Sequence, residues 1–270
     1  MAITTLDQAL AGMQPPVSFE KAASTVMVAG RAQSLLYVAG CPGTAVAPTP
    51  GIGGTVLSSG YLGQLPFTNP VSGNTYLARL CAQSTIAGTL LLCDRLWHNS
   101  GMNVTTITEQ VFTSSAQIPA RDATGTNNGV GVYAGLEVSA ATNAVNPVTL
   151  TLKYTNSAGV AGQTATNVFA TTATAAVVGS FYQFGLAAGD VGIQKAQSLT
   201  INTSWGAGTV HVVLYRVLAR LELGTQIPNA LDALTGGFTQ MYNNTVPFLL
   251  FIPNANSAAN INGTVTWTQG

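Results

Sequence analysis

The sequence predicts an all-β fold, an antiparallel β-sandwich or jelly-roll-like domain with a long extended arm and short terminal helices. Apolar and polar residues alternate with a period of two through much of residues 75–223, which places successive side chains on opposite faces of a sheet. Gly, Asn and Pro separate these segments at the spacing of antiparallel turns, with hardly any helical periodicity between them. We therefore expect a sheet with one buried face and one hydroxyl-rich face.

A short helix is predicted near the start of the chain, at residues 4–13. Thr4 or Thr5 can cap its first turn, and Gly12 can end it. Two prolines follow and force an extended exit from the helix. The helix and the arm after it form the first predicted part of the chain, residues 1–20.

The β-sandwich domain is predicted to occupy residues 21–223. Its first two strands are joined by a tight turn at Gly30 and Arg31. Further along, the Asn-Ser-Ala-Gly sequence of residues 156–159 forms a hairpin turn, with Gly at the left-handed position. The predicted strands, in order, are residues 24–29, 34–39, 85–93, 103–113, 130–138, 148–154, 160–169, 180–186, 199–205 and 209–223.

Within this domain, residues 40–73 are predicted to form an extended loop without regular structure. The segment holds five prolines and eight glycines and almost no charge. Its large apolar residues are Ile52, Val56, Leu57, Tyr61, Leu62, Leu65 and Phe67. This is too much apolar surface for a free linker, so we expect an arm that packs on its own domain or on a neighbouring subunit.

The longest predicted strand, residues 209–223, carries Arg216, Arg220 and Glu222 at the same parity. Side chains of one parity share a sheet face, so these charges are expected together near one end of the strand. A solvated or ion-paired strand end is the favoured interpretation. An intersubunit contact is the alternative.

Residues 224–270 are predicted to form a C-terminal extension. Residues 228–237 have the marks of a short helix, with Pro at the start and Gly beyond the end. Two final strands are predicted at residues 246–252 and 262–268. These two strands could form a separate hairpin.

Charge is scarce in this chain, with nine basic and nine acidic residues among 270. Soluble domains usually contain roughly 25% charged residues. We therefore expect the surface of a chain with so little charge to be covered by partners or to carry mainly hydroxyl and amide groups. The net charge is zero and no run of Lys or Arg occurs, which excludes direct nucleic-acid binding and attachment to an anionic membrane.

The first residues of the chain show neither a basic region nor an apolar region typical of a secretory signal, so folding in a cytoplasm is expected. No apolar stretch approaches the roughly 20 residues that span a bilayer. The strongest one, residues 246–252, is interrupted by Pro247 and followed by Pro253. We therefore expect no membrane-spanning segment.

Three cysteines, Cys41, Cys81 and Cys93, form an odd set, which indicates reduced and mostly buried thiols. A metal site formed by Cys81, Cys93 and His98 is the alternative, with Cys41 or His211 as a fourth ligand. The spacing matches no zinc motif and the paired C-x-x-C is missing. The sequence therefore predicts no metal site.

The most polar stretch of the chain is residues 93–101. Its candidate site residues are Asp94, Arg95, His98 and Asn99. We favour a loop after a strand that fixes its own conformation, with Asp94 and Arg95 paired locally, because polar loop clusters more often satisfy backbone groups than catalyse reactions. The second histidine, His211, alternates with strand residues and is expected to be structural, at a sheet surface.

Enzyme signatures are missing from the rest of the sequence. The carboxylates of Glu109, Asp122, Glu137 and Asp190 stand isolated in different segments. The glycine-rich residues 125–131 precede a strand and lack the lysine of a phosphate-binding loop. We predict no catalytic residues, no cofactor-binding residues and no cofactor.

Several loop and turn motifs resemble those of virion structural proteins from tailed bacteriophages. The resemblance covers most of residues 1–223 and leaves 224–270 outside. The motifs that carry it lie at residues 11–16 (AGMQPP), at Pro42-Gly43 and the following run to Gly51, and at residues 94–101 (DRLWHNSG), 119–122 (PARD), 154–159 (YTNSAG), 186–190 (LAAGD) and 198–200 (SLT).

This resemblance implies a subunit of the assembled head or tail, located in a virion that is assembled in the host cytoplasm. The head decoration or cement proteins are the most similar class, in which a β-sandwich clamps adjacent major capsid subunits. The expected partners are the major capsid protein and copies of the chain itself, as a homo-oligomer, with no small-molecule ligand. A major capsid protein is disfavoured because its long spine helix is missing.

Two alternatives remain open for the function. One is a tail or neck component of the same particle. The other is a receptor- or carbohydrate-binding module, for which exposed Trp97, Trp205 or Trp267 would be stacking platforms.

Overall fold

The computed structural model describes residues 3–23, 25–49, 51–143, 148–168 and 175–270. Almost all regular structure in these residues is β. The strands are β1 Val17–Ala23, β2 Ala32–Ser34, β3 Gly40–Cys41, β4 Gly54–Val56, β5 Thr75–Ser84, β6 Gly88–Asn99, β7 Gln110–Val111, β8 Val132–Ala140, β9 Leu150–Asn156, β10 Gln163–Asn167, β11 Ser180–Gly185, β12 Ile193–Ile201, β13 Thr209–Leu223, β14 Asn229–Asp232, β15 Gln240–Met241, β16 Pro247–Pro253 and β17 Ala259–Gln269. The helices are α1 Leu6–Ala11 and α2 Ala233–Gly236.

These strands form two sheets, and neighbouring strands in both are antiparallel. The first, which we name the terminal sheet, has the order β14-β5-β17-β1-β3, with β15 also beside β5. The second has the order β2-β16-β6-β13-β8-β11-β10-β9-β12-β7, with β4 beside β6. Because β2 also pairs with β11, the strands β2, β16, β6, β13, β8 and β11 close into a ring, which we name the closed ring. The predicted all-β antiparallel class is confirmed.

Three apolar cores among the described residues hold the sheets together. One fills the interior of the closed ring and includes Leu91 and Tyr215. A second lies between the ring and the terminal sheet and includes Leu90 and Trp267. The third lies between the ring and the strands β9, β10 and β12, and it includes Leu136. Leu90 and Leu91 are successive residues of β6 in different cores, so this strand is buried on both faces.

Helix α1 is confirmed, although it is shorter than predicted. Thr5 caps it, since its hydroxyl accepts a hydrogen bond from the Gln8 amide, and Gly12 ends it. The hydroxyl of Thr268 donates to the carbonyl of Ala9 and attaches the helix to β17. Six residues are too few for a stable isolated helix, so this attachment holds it in place.

Several predicted element boundaries are wrong. The first strand is residues 17–23 and not 24–29, because residues 17–23 pair along their whole length with β17. Of the strand predicted at 103–113, only Gln110 and Val111 pair, with β12. The helix predicted at 228–237 begins only at Ala233, because the residues before it pair with β5 as strand β14. In each case a partner distant in sequence overrides the local pattern.

The prediction that the two final strands form a separate hairpin is also wrong. Strand β16 pairs with β6 and β2 in the closed ring. Strand β17 pairs with β5 and β1 in the terminal sheet. The division of the chain at residues 20 and 223 stays a prediction.

The described residues of the predicted arm, 40–73, pack on their own domain. The amide of Leu57 donates to the carbonyl of Leu96, and the amide of Leu65 donates to the carbonyl of Pro247. Both leucines are buried. The ammonium of Lys21 donates to the carbonyl of Pro42 at 2.6 Å and fixes the start of the arm.

Gly135 gives a direct test of packing inside the closed ring. A Cβ atom added to Gly135 would lie 2.0 Å from Cε1 of Phe181, whereas one added to Gly43 would meet nothing within 4 Å. We expect Gly135→Ala to lower the free energy of unfolding by about 1–3 kcal/mol, as other overpacked cores do. The control Gly43→Ala should leave it within about 0.5 kcal/mol. Urea unfolding measures both, and equal stability of the two variants would contradict the described packing.

Candidate functional site

The polar stretch at residues 93–101 lies mostly in strand β6 and not in a loop. β6 is hydrogen-bonded on one edge to β13 and on the other to β16 and β4. Successive side chains of a strand point to opposite faces, so Arg95 points into the closed ring and Asp94 points away from it. The loop interpretation is therefore wrong, and the two charges lie on different sides of one sheet.

Inside the closed ring, Arg95 pairs with Glu137 of strand β8. The Arg95 Nη2 and Glu137 Oε2 atoms are 2.6 Å apart, and both side chains are fully buried. Nδ1 of His98 lies 3.3 Å from Nε of Arg95. The predicted local pair between Asp94 and Arg95 is therefore wrong. The prediction that Glu137 is isolated is also wrong, because β13 pairs with both β6 and β8 and so brings Glu137 of β8 close to Arg95 of β6.

Outside the ring, Asp94 pairs with Arg121 across 3.1 Å. The same guanidinium donates to the carbonyl oxygens of Leu57 at 3.0 Å, of Arg95 at 3.2 Å and of Asn244. The second oxygen of Asp94 accepts from the amide of Val246 at 2.9 Å. This cluster joins β6 to the arm and to the segment before β16.

The charges of strand β13 do not share one environment. Arg216 is buried, donates to the Gln240 carbonyl and stacks 5.0 Å from the ring of Tyr242. Arg220 and Glu222 form an exposed ion pair of 2.8 Å. A register shift between Val217 and Ala219 breaks the parity on which the prediction depended. The ion-paired strand end is confirmed for Arg220 and Glu222 and is wrong for Arg216.

Both histidines are buried beside the Arg95 pair. Burial, with Arg95 and His211 nearby, lowers the pKa of His98 to about 2. Burial also lowers the pKa of His211 to about 4, despite the nearby Glu137 carboxylate. Nε2 of His211 lies 2.5 Å from the Ser139 hydroxyl. The predicted position of His211 at a sheet surface is wrong, because the face that carries it is the inner face of a closed sheet.

The glycine-rich residues 125–131 wrap around the carboxylate of Asp122. This carboxylate accepts six hydrogen bonds, two each from Thr124 and Thr126 and one each from the amides of Gly129 and Val130. Burial alone would raise the pKa of Asp122, but the bonds from Thr126 and Thr124 lower it overall. The loop is therefore organised around its own aspartate.

The three cysteines lie apart in the fold. Cys41 is exposed, Cys81 is half-buried and Cys93 is buried, so the prediction of mostly buried thiols is wrong for Cys41. Cys81 belongs to the terminal sheet, whereas Cys93 belongs to the closed ring. Across the described ranges of the chain, no three His, Cys, Asp or Glu side chains form a group that could hold a metal ion.

The three tryptophans are buried, with exposed fractions of 0% for Trp97, 2% for Trp205 and 4% for Trp267. Phe112 packs edge-on against Trp97, and Phe67 of the arm packs edge-on against Trp267. The expectation that these tryptophans are exposed and could stack on a carbohydrate is therefore wrong.

Nearly half of the charged residues are buried. Of the eighteen charged residues, eight are buried. These are Lys21, Arg31, Asp94, Arg95, Arg121, Asp122, Glu137 and Arg216. The Arg95 and Glu137 side chains are fully buried, and their ion pair joins strand β6 to strand β8. Sequence reasoning missed the buried pairs of Arg95 with Glu137 and of Asp94 with Arg121, because the two partners of each pair lie far apart in the chain.

No helix in the residues described by the structure is both long and apolar enough to cross a membrane.

Comparison with known proteins assigns no family. No protein-family model and no curated protein matches the chain. Among solved structures, a T=1 particle derived from infectious bursal virus is 11% identical over 96% of this chain and 79% of that chain, with a TM-score of 0.18. The VP2 subviral particle of infectious bursal disease virus is 10% identical over 96% of this chain and 82% of that chain, with a TM-score of 0.17. Both are viral particles, but similarity at this level carries no argument about this chain.

Arg121→Met tests the buried cluster outside the ring. The substitution leaves Asp94 and three carbonyl oxygens without their donor, and breaking a buried pair in this way costs about 3–5 kcal/mol. The same change at the exposed Arg220 should cost less than about 1 kcal/mol. Urea unfolding of the two variants measures the difference, and a similar loss in both would show that the Arg121 cluster does not stabilise the fold.

The buried histidines predict acid sensitivity. Their pKa values in the folded protein lie below the ordinary value of 6.5, so the unfolded state binds more protons below that pH. Stability is complete well above pH 6.5 and falls as the pH drops through 6.5, down to about 4 for His211 and about 2 for His98. Near pH 5.5 the loss is about 3 kcal/mol for the pair. Urea unfolding at pH 7.5 and 5.5 measures the loss. A folded double variant with Gln at both positions should lack it, and a wild-type stability that is equal at both pH values would contradict the burial of these rings.

Proposed function

We propose that this chain is a structural protein of a virus particle that acts by association and not by catalysis. More specifically, we propose a head decoration or cement protein of a tailed bacteriophage, which stabilises the shell by contacts with the major capsid protein and with copies of itself. Its place of action would be the virion, assembled in the host cytoplasm.

The observation that carries this proposal is the nature of the surface. After burial of the eight charged residues, only ten remain on an accessible surface of 10707 Å². Mixed surface charge is what keeps ordinary monomers apart. Among the described residues, nine large apolar side chains are at least 60% exposed, namely Leu6, Leu10, Val46, Leu62, Val71, Val168, Val191, Ile227 and Leu234. A surface with so little charge and so many exposed apolar groups fits a subunit that is covered by neighbours.

The uncharged polar surface fits the same role. Thr166, Thr151 and Thr200 form a row across the neighbouring strands β10, β9 and β12. All three side chains are at least partly exposed. Hydroxyl groups can hydrogen-bond to a partner without the desolvation cost of a charge. The row supports contact with a neutral polar surface.

The packing of the arm changes how a cement protein of this fold would contact a shell. Because the described residues of 40–73 pack on their own domain, the arm would contact a shell as part of a rigid body, through its exposed Val46, Leu62 and Val71. The sequence resemblance to phage virion proteins favours the head over the tail. A tail or neck component stays the alternative, and buried Trp97, Trp205 and Trp267 leave the receptor-binding module without support.

Copy number in purified virus particles tests the assignment. Quantitative mass spectrometry of particles from the source of this chain should find it at hundreds of copies, in a fixed ratio to the shell protein. A handful of copies would support the tail or neck alternative and contradict the cement role. Complete absence from the particles would overturn the virion proposal.

Attachment to the particle should resist salt. Raising the salt concentration from about 0.1 to 1 M shortens the screening length from about 10 to 3 Å, which strips subunits that are held by charge. With ten charges at its surface, this chain should stay bound, because apolar and hydrogen-bonded contacts gain little from long-range attraction. Sedimentation of washed particles measures the bound fraction. Release by salt alone would contradict the proposal.

A further inference from the structure

Ser139 lies in a bulge near the end of strand β8. Thr209 of β13 pairs with Ala140 of β8. The next residue of β13, Val210, pairs with Val138, so the register between the two strands leaves out Ser139. The Ser139 side chain is partly exposed. Bulges bend a strand and re-aim a side chain, and they are frequent next to active sites.

The hydroxyl of Ser139 lies against the ring of His211 on strand β13. Its Oγ atom is 2.5 Å from Nε2 of His211 and 3.3 Å from the carbonyl oxygen of Thr209. The shorter contact makes the ring nitrogen the stronger acceptor of the hydroxyl proton. A serine hydroxyl is a weak nucleophile alone and becomes activated when a base lies within hydrogen-bond distance. Ser139 and His211 have this geometry.

His211 is fixed in place and uncharged at neutral pH. Its side chain is fully buried and hydrogen-bonds to the backbone of Asn99. Burial lowers the pKa of His211 to about 4, although the Glu137 carboxylate opposes this effect, and Arg95 lowers the pKa further. The His98 ring lies 6.5 Å from the His211 ring. A base that is itself oriented by a third group is the usual arrangement beside an activated nucleophile.

The charges around His211 set how strongly it can activate Ser139. A proton transferred from Ser139 makes His211 positive, and the Glu137 carboxylate, which faces it in the register of β8 with β13, stabilises that charge. Arg95 opposes it. A general base is most effective when its pKa lies near the working pH, so a base with a pKa of about 4 activates the hydroxyl only modestly. We therefore expect one slow reaction with a strongly activated donor and not rapid turnover.

We propose that Ser139 is a nucleophile with His211 as its base, and that it takes up an acyl group from an activated ester or thioester. Oγ of Ser139 bonds to the carbonyl carbon of the donor while Nε2 of His211 takes the hydroxyl proton. The bond from that carbon to the leaving oxygen or sulfur then breaks, and His211 returns the proton to the leaving group. The products are an ester on Ser139 and a free alcohol or thiol. This reactivity goes beyond the proposed virion role.

A fluorophosphonate probe tests the nucleophile on the full-length folded protein. Oγ of Ser139 should displace fluoride from phosphorus and keep the phosphonyl group, with fluoride and the proton released to solvent. We expect mass spectrometry to find this group on Ser139, formed at least about tenfold faster than in the same protein unfolded in urea. No labelling of Ser139, or labelling no faster than in urea, would overturn the proposal.

Three variants separate the nucleophile from its base. Ser139→Ala should lose the labelling. The control Ser115→Ala should keep it, because the Ser115 hydroxyl is also partly buried but donates to the carbonyl of Ala196. His211→Gln keeps a hydrogen-bonding side chain and removes the base, so labelling of Ser139 should fall at least about tenfold. Circular dichroism establishes that each variant is folded.

Undiminished labelling in Ser139→Ala or in folded His211→Gln would overturn the proposal. If His211→Gln does not fold, the comparison of folded and urea-unfolded wild-type protein decides alone. Because no measurement involves a virus particle, failure here is separate from failure of the virion proposal.

Discussion

The guanidinium of Arg121 holds together three parts of the chain that are far apart in sequence. It pairs with Asp94 of β6 and also donates to carbonyl oxygens of the arm, of β6 itself and of the segment before β16. A planar guanidinium has five donors in a fixed arrangement, which allows one side chain to satisfy several backbone groups at once. This contact ties the arm and the segment before β16 to strand β6.

The other buried charges are satisfied in the same way. A chain with eighteen charges places eight of them inside, where each is paired or hydrogen-bonded. Burying a charge is costly, and only good geometry with further hydrogen bonds offsets that cost. These charges thus fix the arrangement of the strands. The surface that results is poor in charge, which is the property that favours packing against neighbours.

The sequence predicted the fold class and the elements whose signal is local. Strand β13 is confirmed at 209–223, and the β9–β10 hairpin is confirmed because residues 156–159 form its turn. The predicted strand at 85–93 ends too early, since β6 continues to Asn99. Both faces of β6 are buried, and a strand of that kind shows no alternation of apolar and polar residues. His211 was placed at a surface because a polar inner face of a closed sheet looks like a solvated face in sequence. The partners of Arg95 and Asp94 come from other strands and loops, and no local pattern contains them.

The place of β17 in the terminal sheet sets the order in which the protein can fold. β17 lies between β5 and β1, and Val17 pairs with Val265. During synthesis, β1 and β5 leave the ribosome well before β17 and must wait, with open edges, until β17 emerges to lie between them. Loop closure over such a distance in sequence makes folding slow, and open strand edges invite pairing with other chains. The terminal sheet is therefore completed only after β17 has emerged, and chaperones or a low rate of production would protect the chain in that interval.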